Sequence, residues 1–321
     1  MISEERIYAE LRNVLESADF AGLGQVQRGK VRDCYQRDGK RIIVATDRIS
    51  AFDCVLGTIP FKGQVLNQLA AFWFENTRHI AQNHLIDVPD PNIMIVSQCE
   101  QIPIEFVVRG YITGVTKTSA WYNYNHGVRN LCGNILPENL RKDQKLERPI
   151  LTPTTKLEKH DRPISRDEAI AEGLIDAETF DAAAELCFKL YAYGVSHAAS
   201  RGLILVDAKY EIGKLKQQLI VTDEIHTPDS SRYWFEDTYH ELFTAGSEQR
   251  KLDKEYVRIW LAGKGFRGEG APPILPIDIQ VEAAKRYIKA YELITGREFL
   301  PGTKPVRERV DRVLKRLSLI L

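Results

Sequence analysis

Residues 203–234 read LILVDAKYEIGKLKQQLIVTDEIHTPDSSRYW, and the organisation of the chain turns on this stretch. The apolar run 203–206 predicts a buried strand, and Asp207, Lys209 and Glu211 follow at alternate positions, so a period of two puts all three on one face. A second apolar run, 219–221, ends in Asp223 and Glu224, and the polar connector 214–218 is short enough for a hairpin loop. A five-residue loop centred on Lys216 predicts Lys209 opposite Asp223. Asp207 and Glu211 are about 13 Å apart along a strand rising ~3.3 Å per residue, too far to grip one small cation together. Glu211 and Asp223 are therefore the candidates to share a magnesium ion, and Asp207 is left for a second metal or the substrate. Oxygen-only ligands suit magnesium held on phosphates. A surface hairpin laced with ion pairs would use the same residue types. Two successive strands ending in carboxylates that are costly to desolvate without a cation favour a metal and phosphate site.

Upstream lie GKVRDCY, TDRISAFD, EFVVRGYITG and LTPTTKLEKHDRPIS. Together with VDAKYEIG and TDEIHTPDSSRYW, over residues 20–260, the chain resembles the SAICAR synthase (phosphoribosylaminoimidazole-succinocarboxamide synthase) family of purine biosynthesis. Six linked motifs in order make a chance match improbable. The resemblance implies ATP, carboxyaminoimidazole ribonucleotide and L-aspartate as substrates and an ATP-dependent ligase as the activity, with Mg2+ accompanying ATP. Lys209, Asp207, Glu211 and Asp223 are the catalytic candidates, the three acids doubling as candidate metal ligands.

The composition agrees with a small-molecule enzyme. Lys plus Arg and Asp plus Glu are both 44 in 321 residues, so the net charge is zero, and 44% hydrophobic residues fit a globular chain of one or two domains. That balance argues against nucleic acid or a membrane surface as partner. Five cysteines without CxxC spacing fit a reducing compartment and take no metal, and an acidic N-terminus without an apolar core predicts a cytoplasmic protein.

In the N-terminal part, QVQRGKVRDCYQ, the turn at Asp38 and Gly39, and KRIIVATD predict strand, turn and strand. Residues 24–30 match the G-x-x-x-x-G-K core of a P-loop, but Val31 stands where a hydroxyl is needed and extended chain follows where a helix is needed. A glycine-containing strand turn over nucleotide phosphates is the better analogue. The family resemblance puts Gly29 and Lys30 over ATP, with Arg28 and Arg32 as further candidates. TDRISAFD brings Asp47, Arg48 and Ser50 to the end of an apolar strand, where a capping turn and a ligand role are both open. Residues 64–74 carry Val65, Leu69, Phe72 and Trp73 at helical spacing, and His79 and His84 beyond them are expected on the surface.

Residues 102–114 begin as a strand and end in glycines, which predicts a hinge between lobes. The resemblance puts adenine near Glu105 and Val107, gives Arg109 to the substrate phosphate, and makes Lys156 a second phosphate-side lysine. Many family members read glycine-serine after the arginine segment. This chain has Gly114 followed by Val115, Thr116, Lys117, Thr118 and Ser119, so either Thr116 or Ser119 supplies the hydroxyl. Arg232 matches a second phosphate clamp, with Ser230 or Ser231 beside it. His160 lies alone in a loop and is left out of the site.

Ser165 and Glu168 predict a capping box, and Asp176 opens a helix through Ser200 closed by Gly202. Gly263, Gly265 and Gly268 fit G-x-G-x-x-G, but no strand precedes and no helix follows, so they read as connective. Residues 278–295 predict an amphipathic helix with Val281, Ala284, Ile288, Tyr291 and Ile294 on one side, and 306–321 a final helix. The expected fold is α+β with two lobes like a SAICAR synthase, ligands lying between them: residues 1–108 a mainly antiparallel nucleotide-covering lobe, residues 109–321 a larger lobe for substrate and metal. A small-molecule kinase would use the same glycine turn, lysine and acids, and stands as the alternative.

Overall fold

The computed structural model describes residues 2–52, 54–156, 161–252, 255–266 and 268–320. In chain order the N-terminal elements are α1 (Glu4–Glu10), β1 (Gln27–Arg28), β2 (Arg32–Arg37), β3 (Lys40–Ala45), β4 (Arg48–Ala51), β5 (Cys54–Thr58), α2 (Lys62–Asn76), β6 (Leu85–Asp90) and β7 (Ile93–Ser97). Next come β8 (Glu100–Ile112), α3 (Ala120–Asn125), β9 (Asn130–Leu131), β10 (Asn134–Ile135), β11 (Gln144–Leu151), β12 (Thr154–Thr155), α4 (Arg166–Ala171) and α5 (Ala177–Ala199). The remainder comprises β13 (Leu203–Leu215), β14 (Gln218–Thr222), β15 (Ser231–Phe235), α6 (Glu236–Ala245), α7 (Glu255–Gly263), α8 (Ile277–Thr295) and α9 (Val306–Ile320).

These elements form two compact units, one of residues 1–75, 84–98 and 252–321, the other of residues 76–83 and 99–251. The division expected at 108/109 falls inside β8. Far from being a hinge, β8 is the middle of a sheet, paired with β13 on one side and with β11 and β12 on the other.

In the first unit an antiparallel sheet in the order β1-β2-β3-β7-β6 presents Ile42, Val44, Ile93 and Ile95 on one face. Period two in β3 and β7 selects these residues, and α9 covers them with Val310, Val313, Leu314 and Leu317 at helical spacing. The C-terminal helix thus completes the core of the N-terminal sheet. On α8 the five residues of the expected stripe are all buried, and Gly296 ends the helix in a left-handed turn at φ 67°. Val65, Leu69, Phe72 and Trp73 of α2 are core, as their spacing predicts. His84 is not a surface residue: it is buried with its ring edge-on to Phe74 at 5.3 Å, while His79 is exposed. The first helix spans Glu4–Glu10, and Ser3 caps it by accepting from the Arg6 N–H.

In the second unit the sheet order is β11-β8-β13-β14, with β12 beside β8 and β15 beside β13. Ile104, Phe106 and Val108 of β8 and Ala208, Tyr210 and Ile212 of β13 are wholly buried, and α5 packs on these strands, Phe180 meeting Phe106 at 5.4 Å. Asp176 caps α5 by accepting from the Thr179 N–H (2.7 Å), and Gly202 at φ 67° turns the chain into β13. The Ser165/Glu168 capping box is present on α4. With one face given to α5, the alternate residues Glu105, Val107 and Arg109 and Asp207, Lys209 and Glu211 share the other.

The β13/β14 hairpin differs from expectation. Leu215 pairs with Gln218, so the loop is only Lys216 and Gln217, both left-handed at φ 49° and 67°, as a type I′ turn requires. Glu211 therefore opposes Thr222, and the register is one residue away from the predicted pairing of Lys209 with Asp223.

Candidate active site

Two charged groups lie along this face of the second unit. At one end, Asp207 stands opposite Arg109 on β8 and opposite Arg232 on β15, so three strands put the three side chains in one row. The Asp207 carboxylate accepts from Arg109 Nη1 at 3.2 Å and from Arg232 Nη1 at close range. Arg109 also donates Nε–H to Thr152 Oγ1 (2.7 Å) and Nη2–H to the Thr118 carbonyl (3.0 Å). Three of its five N–H groups are thus used for orientation, leaving two for a ligand. Burial pulls the Arg109 pKa down and Asp207 opposes that fall. Two guanidiniums against one carboxylate leave a surplus positive charge, which suits an anion and not a cation.

Asp207 owes its position to a β-bulge. Its strand pairs with β15 as Leu205↔Tyr233 and then as Asp207↔Arg232, one register apart. Upstream of the shift Val206 clusters with Tyr111 and Trp234, and downstream Asp207 meets the arginines. The extra residue moves β13 from its even-numbered to its odd-numbered side chains on this face. Ser119 lies nearby. A Cβ added at Gly114, which has φ +92°, would meet Ser119 Oγ at 2.9 Å and Arg232 Nη2 at 3.0 Å, so this glycine admits both groups to one spot. The Ser119 hydroxyl donates to the Thr116 carbonyl at 2.5 Å, beside Arg232 Nη2. Ser231 opposes Ala208 and alternates with Arg232, so it faces away, buried.

At the other end Lys209 Nζ donates to Glu105 Oε1 (2.9 Å) and Glu211 Oε1 (3.0 Å), and Lys156 closes on Glu211 Oε2. Burial opposes the charge on Lys209, yet Glu211, Glu105 and Asp223 more than offset it and hold its pKa well above the ordinary range. Burial likewise pushes Glu211 up, and Lys209 and Lys156 outweigh that to hold it far below the usual carboxylate range. Among the described residues Glu105 pairs with Lys209 alone, and burial leaves its pKa raised against that charge. Asp223 has left the ladder at φ +60°, which returns its charge to Lys209 in spite of the one-residue register difference.

The backbone of residues 105–107 is engaged by neighbours. Glu105 pairs with both Glu211 and Thr154, and the Val107 carbonyl accepts from the Thr152 N–H at 2.8 Å. A central strand offers no free backbone edge to a purine, so what this segment presents on the face is the side chains of Glu105 and Val107. Sequence reasoning names Glu105, but beside adenine and not beside Lys209, and it misses Thr152, for which the run of threonines in LTPTT was the signal available.

In the first unit, Gly29 and Lys30 form the turn between β1 and β2, with Lys30 exposed and Arg32 half-buried. Arg48 holds that turn from behind, donating to the carbonyls of Gly29 (2.9 Å) and Lys30 (3.2 Å) and pairing with buried Asp33 at 2.7 Å. Asp47 is buried and accepts from the Leu15 (2.7 Å) and Gly63 (2.9 Å) N–H groups. Burial raises its pKa to about 6 against those bonds and the charges of Lys62 and Arg309. Of the TDRISAFD residues, Asp47 and Arg48 thus have structural work, and Ser50 is half-buried. Asp53 and His160 lie outside the described residues.

The donor chemistry tests the metal assignment. Among the described residues no three His, Cys, Asp or Glu side chains gather as an ion-holding cluster. Magnesium on a nucleotide needs one or two carboxylates, the remaining ligands being phosphate oxygens and water. Glu211 and Asp223 make up that number, but Glu211 has a lysine on each oxygen as Asp207 has two guanidiniums, so an ion at Glu211 takes the place of a lysine contact.

Comparison with known proteins shows the family. The SAICAR synthetase family matches residues 25–272. The phosphoribosylaminoimidazole-succinocarboxamide synthase of Legionella pneumophila (strain Paris) is 48% identical over 300 residues, covering 91% of this chain and 95% of the relative. A chloroplastic synthase of the same name from Arabidopsis thaliana is 46% identical over 299 residues, covering 92% and 73%. Among solved structures, SAICAR synthase from Saccharomyces cerevisiae complexed with SAICAR superposes with a TM-score of 0.78 at 33% identity, covering 89% of this chain and all of that one. A SAICAR synthetase in complex with ADP gives a TM-score of 0.66 at 25% identity, covering 86% and 100%. With the matched motifs carrying both charged groups, the chain belongs to the SAICAR synthetase family.

Proposed function

We propose that this chain is the ATP-dependent ligase that joins L-aspartate to the carboxylate of carboxyaminoimidazole ribonucleotide, giving SAICAR, ADP and phosphate in purine biosynthesis. The observation that carries this reading is one sheet face bearing a surplus of positive charge at the Arg109, Asp207 and Arg232 row and paired lysines and acids at the other end. The solved relatives hold SAICAR in one case and ADP in another, which are the product and the spent nucleotide of this reaction.

Arg109 and Arg232 bind the ribonucleotide phosphate, with Ser119 beside them, and Asp207 keeps the two guanidiniums parallel to their target. Gly29, Lys30 and Arg32 take ATP phosphates in the first unit. Lys209 and Lys156 bring positive charge to the phosphoryl group in transfer, and Glu105 and Glu211 hold those ammonium groups in place. A substrate carboxylate oxygen attacks the γ-phosphorus and ADP leaves; the aspartate amine then attacks the acyl carbon of the resulting acyl phosphate and phosphate leaves. Magnesium, when bound, neutralises charge on the nucleotide phosphates, and Glu211 and Asp223 are the residues to hold it. The proposal includes a cytoplasmic location, on the strength of five scattered cysteines without CxxC spacing. A kinase acting on a hydroxyl would need the same nucleotide groups, but the family match weighs against it.

Steady-state ADP formation with one substrate omitted at a time tests the reading. Sustained turnover is expected only with carboxylated ribonucleotide and aspartate both present. Replacing Arg232 by Lys, which cannot form the bidentate clamp, should raise the KM for ribonucleotide about tenfold and that for ATP far less. ADP formation on a hydroxyl acceptor without aspartate would overturn the ligase assignment.

A further inference from the structure

The bulge that turns Asp207 toward the arginines is held from the opposite face of the sheet by one side chain. Tyr191, on α5, is buried and donates its hydroxyl to the carbonyls of the two bulge residues, Leu205 (2.8 Å) and Val206 (3.0 Å). The same oxygen lies against Gly110, the residue after Arg109. The paired run of β8 with β13 has Asp207↔Arg109 as its last pair, so the phenol occupies the place where the next rung would form. Gly110 makes room for it: a Cβ there would fall on the Tyr191 hydroxyl, although no positive φ demands glycine. Three separate features therefore meet at one oxygen: the register shift, the missing Cβ and the buried hydroxyl.

We propose that Tyr191 is a positioning residue for the ribonucleotide site, its hydroxyl fixing the Val206 bulge from its seat against Gly110 so that Asp207 stands between Arg109 and Arg232. Without the bulge Arg232 would oppose Val206, and Asp207 would point to the α5 face with no guanidinium to meet. The hydroxyl touches no substrate; it acts on the phosphate through the backbone on either side of the row. The proposal rests on the reading of Arg109 and Arg232 as the phosphate clamp.

Tyr191→Phe keeps the ring and removes only the oxygen. It should raise the KM for ribonucleotide about three- to tenfold while the KM for ATP and kcat stay within about twofold, as expected for one lost hydrogen-bonded support. Gly110→Ala presses on the same oxygen from the other side and should give the same selective rise. The double variant should be less damaging than the two effects combined, because removing the oxygen relieves the contact. Equal rises for both substrates, a fall in kcat alone, or strict additivity of the pair would overturn the proposal. Arg232→Lys, measured alongside, separates the two levels: an unchanged ribonucleotide KM there removes the clamp and the proposal with it, whereas a raised one with Tyr191→Phe at wild-type values removes the proposal alone.

Discussion

Asp47 and Glu211 are both nearly inaccessible carboxylates, 2% and 8% exposed, and both belong to motifs with an apolar strand and acidic residues, yet their proton affinities move in opposite directions. Glu211 has an ammonium on each oxygen, from Lys209 and Lys156. Asp47 has two backbone N–H groups, with the charges of Lys62 and Arg309 as weaker influences. Burial raises both, and contact with cations decides the sign. A carboxylate buried on amides ties loops together, here Leu15 to Gly63 through Asp47. One buried on two lysines holds a pair of ammonium groups in place. An acid tied to amides is thus distinguished from an acid tied to ammonium groups, and under the proposed function it is the second that serves chemistry.

The largest effect that tests this difference is on turnover. Glu211→Gln removes the charge and little volume, leaving Lys209 and Lys156 without their shared partner; kcat should fall about a hundredfold or more, with the melting transition largely retained. Glu105→Gln should cost nearer tenfold, since Glu105 meets one lysine where Glu211 meets two. Steady-state kinetics at saturating ribonucleotide, with thermal melts in parallel, measures both. If Asp47→Asn loses as much turnover as Glu211→Gln, the separation fails.

Asp47 should instead reveal itself in stability. Its folded pKa of about 6 lies above an unfolded value of about 3.9. Between those values the folded chain keeps a proton that the unfolded chain has released. The stabilisation is therefore complete below about pH 4 and is lost as pH rises through about 6. At roughly 1.4 kcal/mol per unit, the loss is about 3 kcal/mol. Asp47→Asn lacks this titration, so the wild-type stability minus that of the variant should fall by about that amount between pH 4 and pH 7. Denaturant unfolding across that range is the measurement, and a difference independent of pH would put the buried acid in a different environment.

How far the sequence reveals this distinction is set by locality. Caps and stripes are local, and Asp176, the Ser165/Glu168 box and the face of α8 appear where their spacing predicts. The alternation of Asp207, Lys209 and Glu211 is local too, and it leads to the correct face. What lies across strands is another matter. The hairpin register depends on Lys216 and Gln217 adopting positive φ, which neither residue type announces, and the Val206 bulge has no mark in LILVDAK. Glu105 reads as a strand residue until β13 is laid beside it. The pairing of the last seventy residues with the first sheet is likewise invisible, because it depends on contacts between Val310 or Leu314 and strands more than two hundred residues earlier.

The smallest effects belong to the glycines that imitate a dinucleotide motif, and they check that function follows charged strand residues and not a glycine pattern. Gly263 is the last residue of α7, has no positive φ, and an added Cβ there meets nothing within 4 Å. Gly263→Ala should leave the dissociation constant for ATP within about threefold and stabilise the helix end by up to about 1 kcal/mol, through reduced freedom of the unfolded chain. Gly268 is different in kind: it sits at φ +104°, and a Cβ would meet Phe52 Cβ at 3.1 Å and its carbonyl oxygen at 3.2 Å. Gly268→Ala should therefore destabilise by about 1–3 kcal/mol while also sparing ATP affinity in the folded fraction. Calorimetric titration of ATP against each variant, with melting curves for both, separates strain from binding. A tenfold loss of ATP affinity in Gly263→Ala, where nothing is touched and no backbone is strained, would show that the nucleotide is held by this loop and that the charged rows of the sheet have been given its role in error.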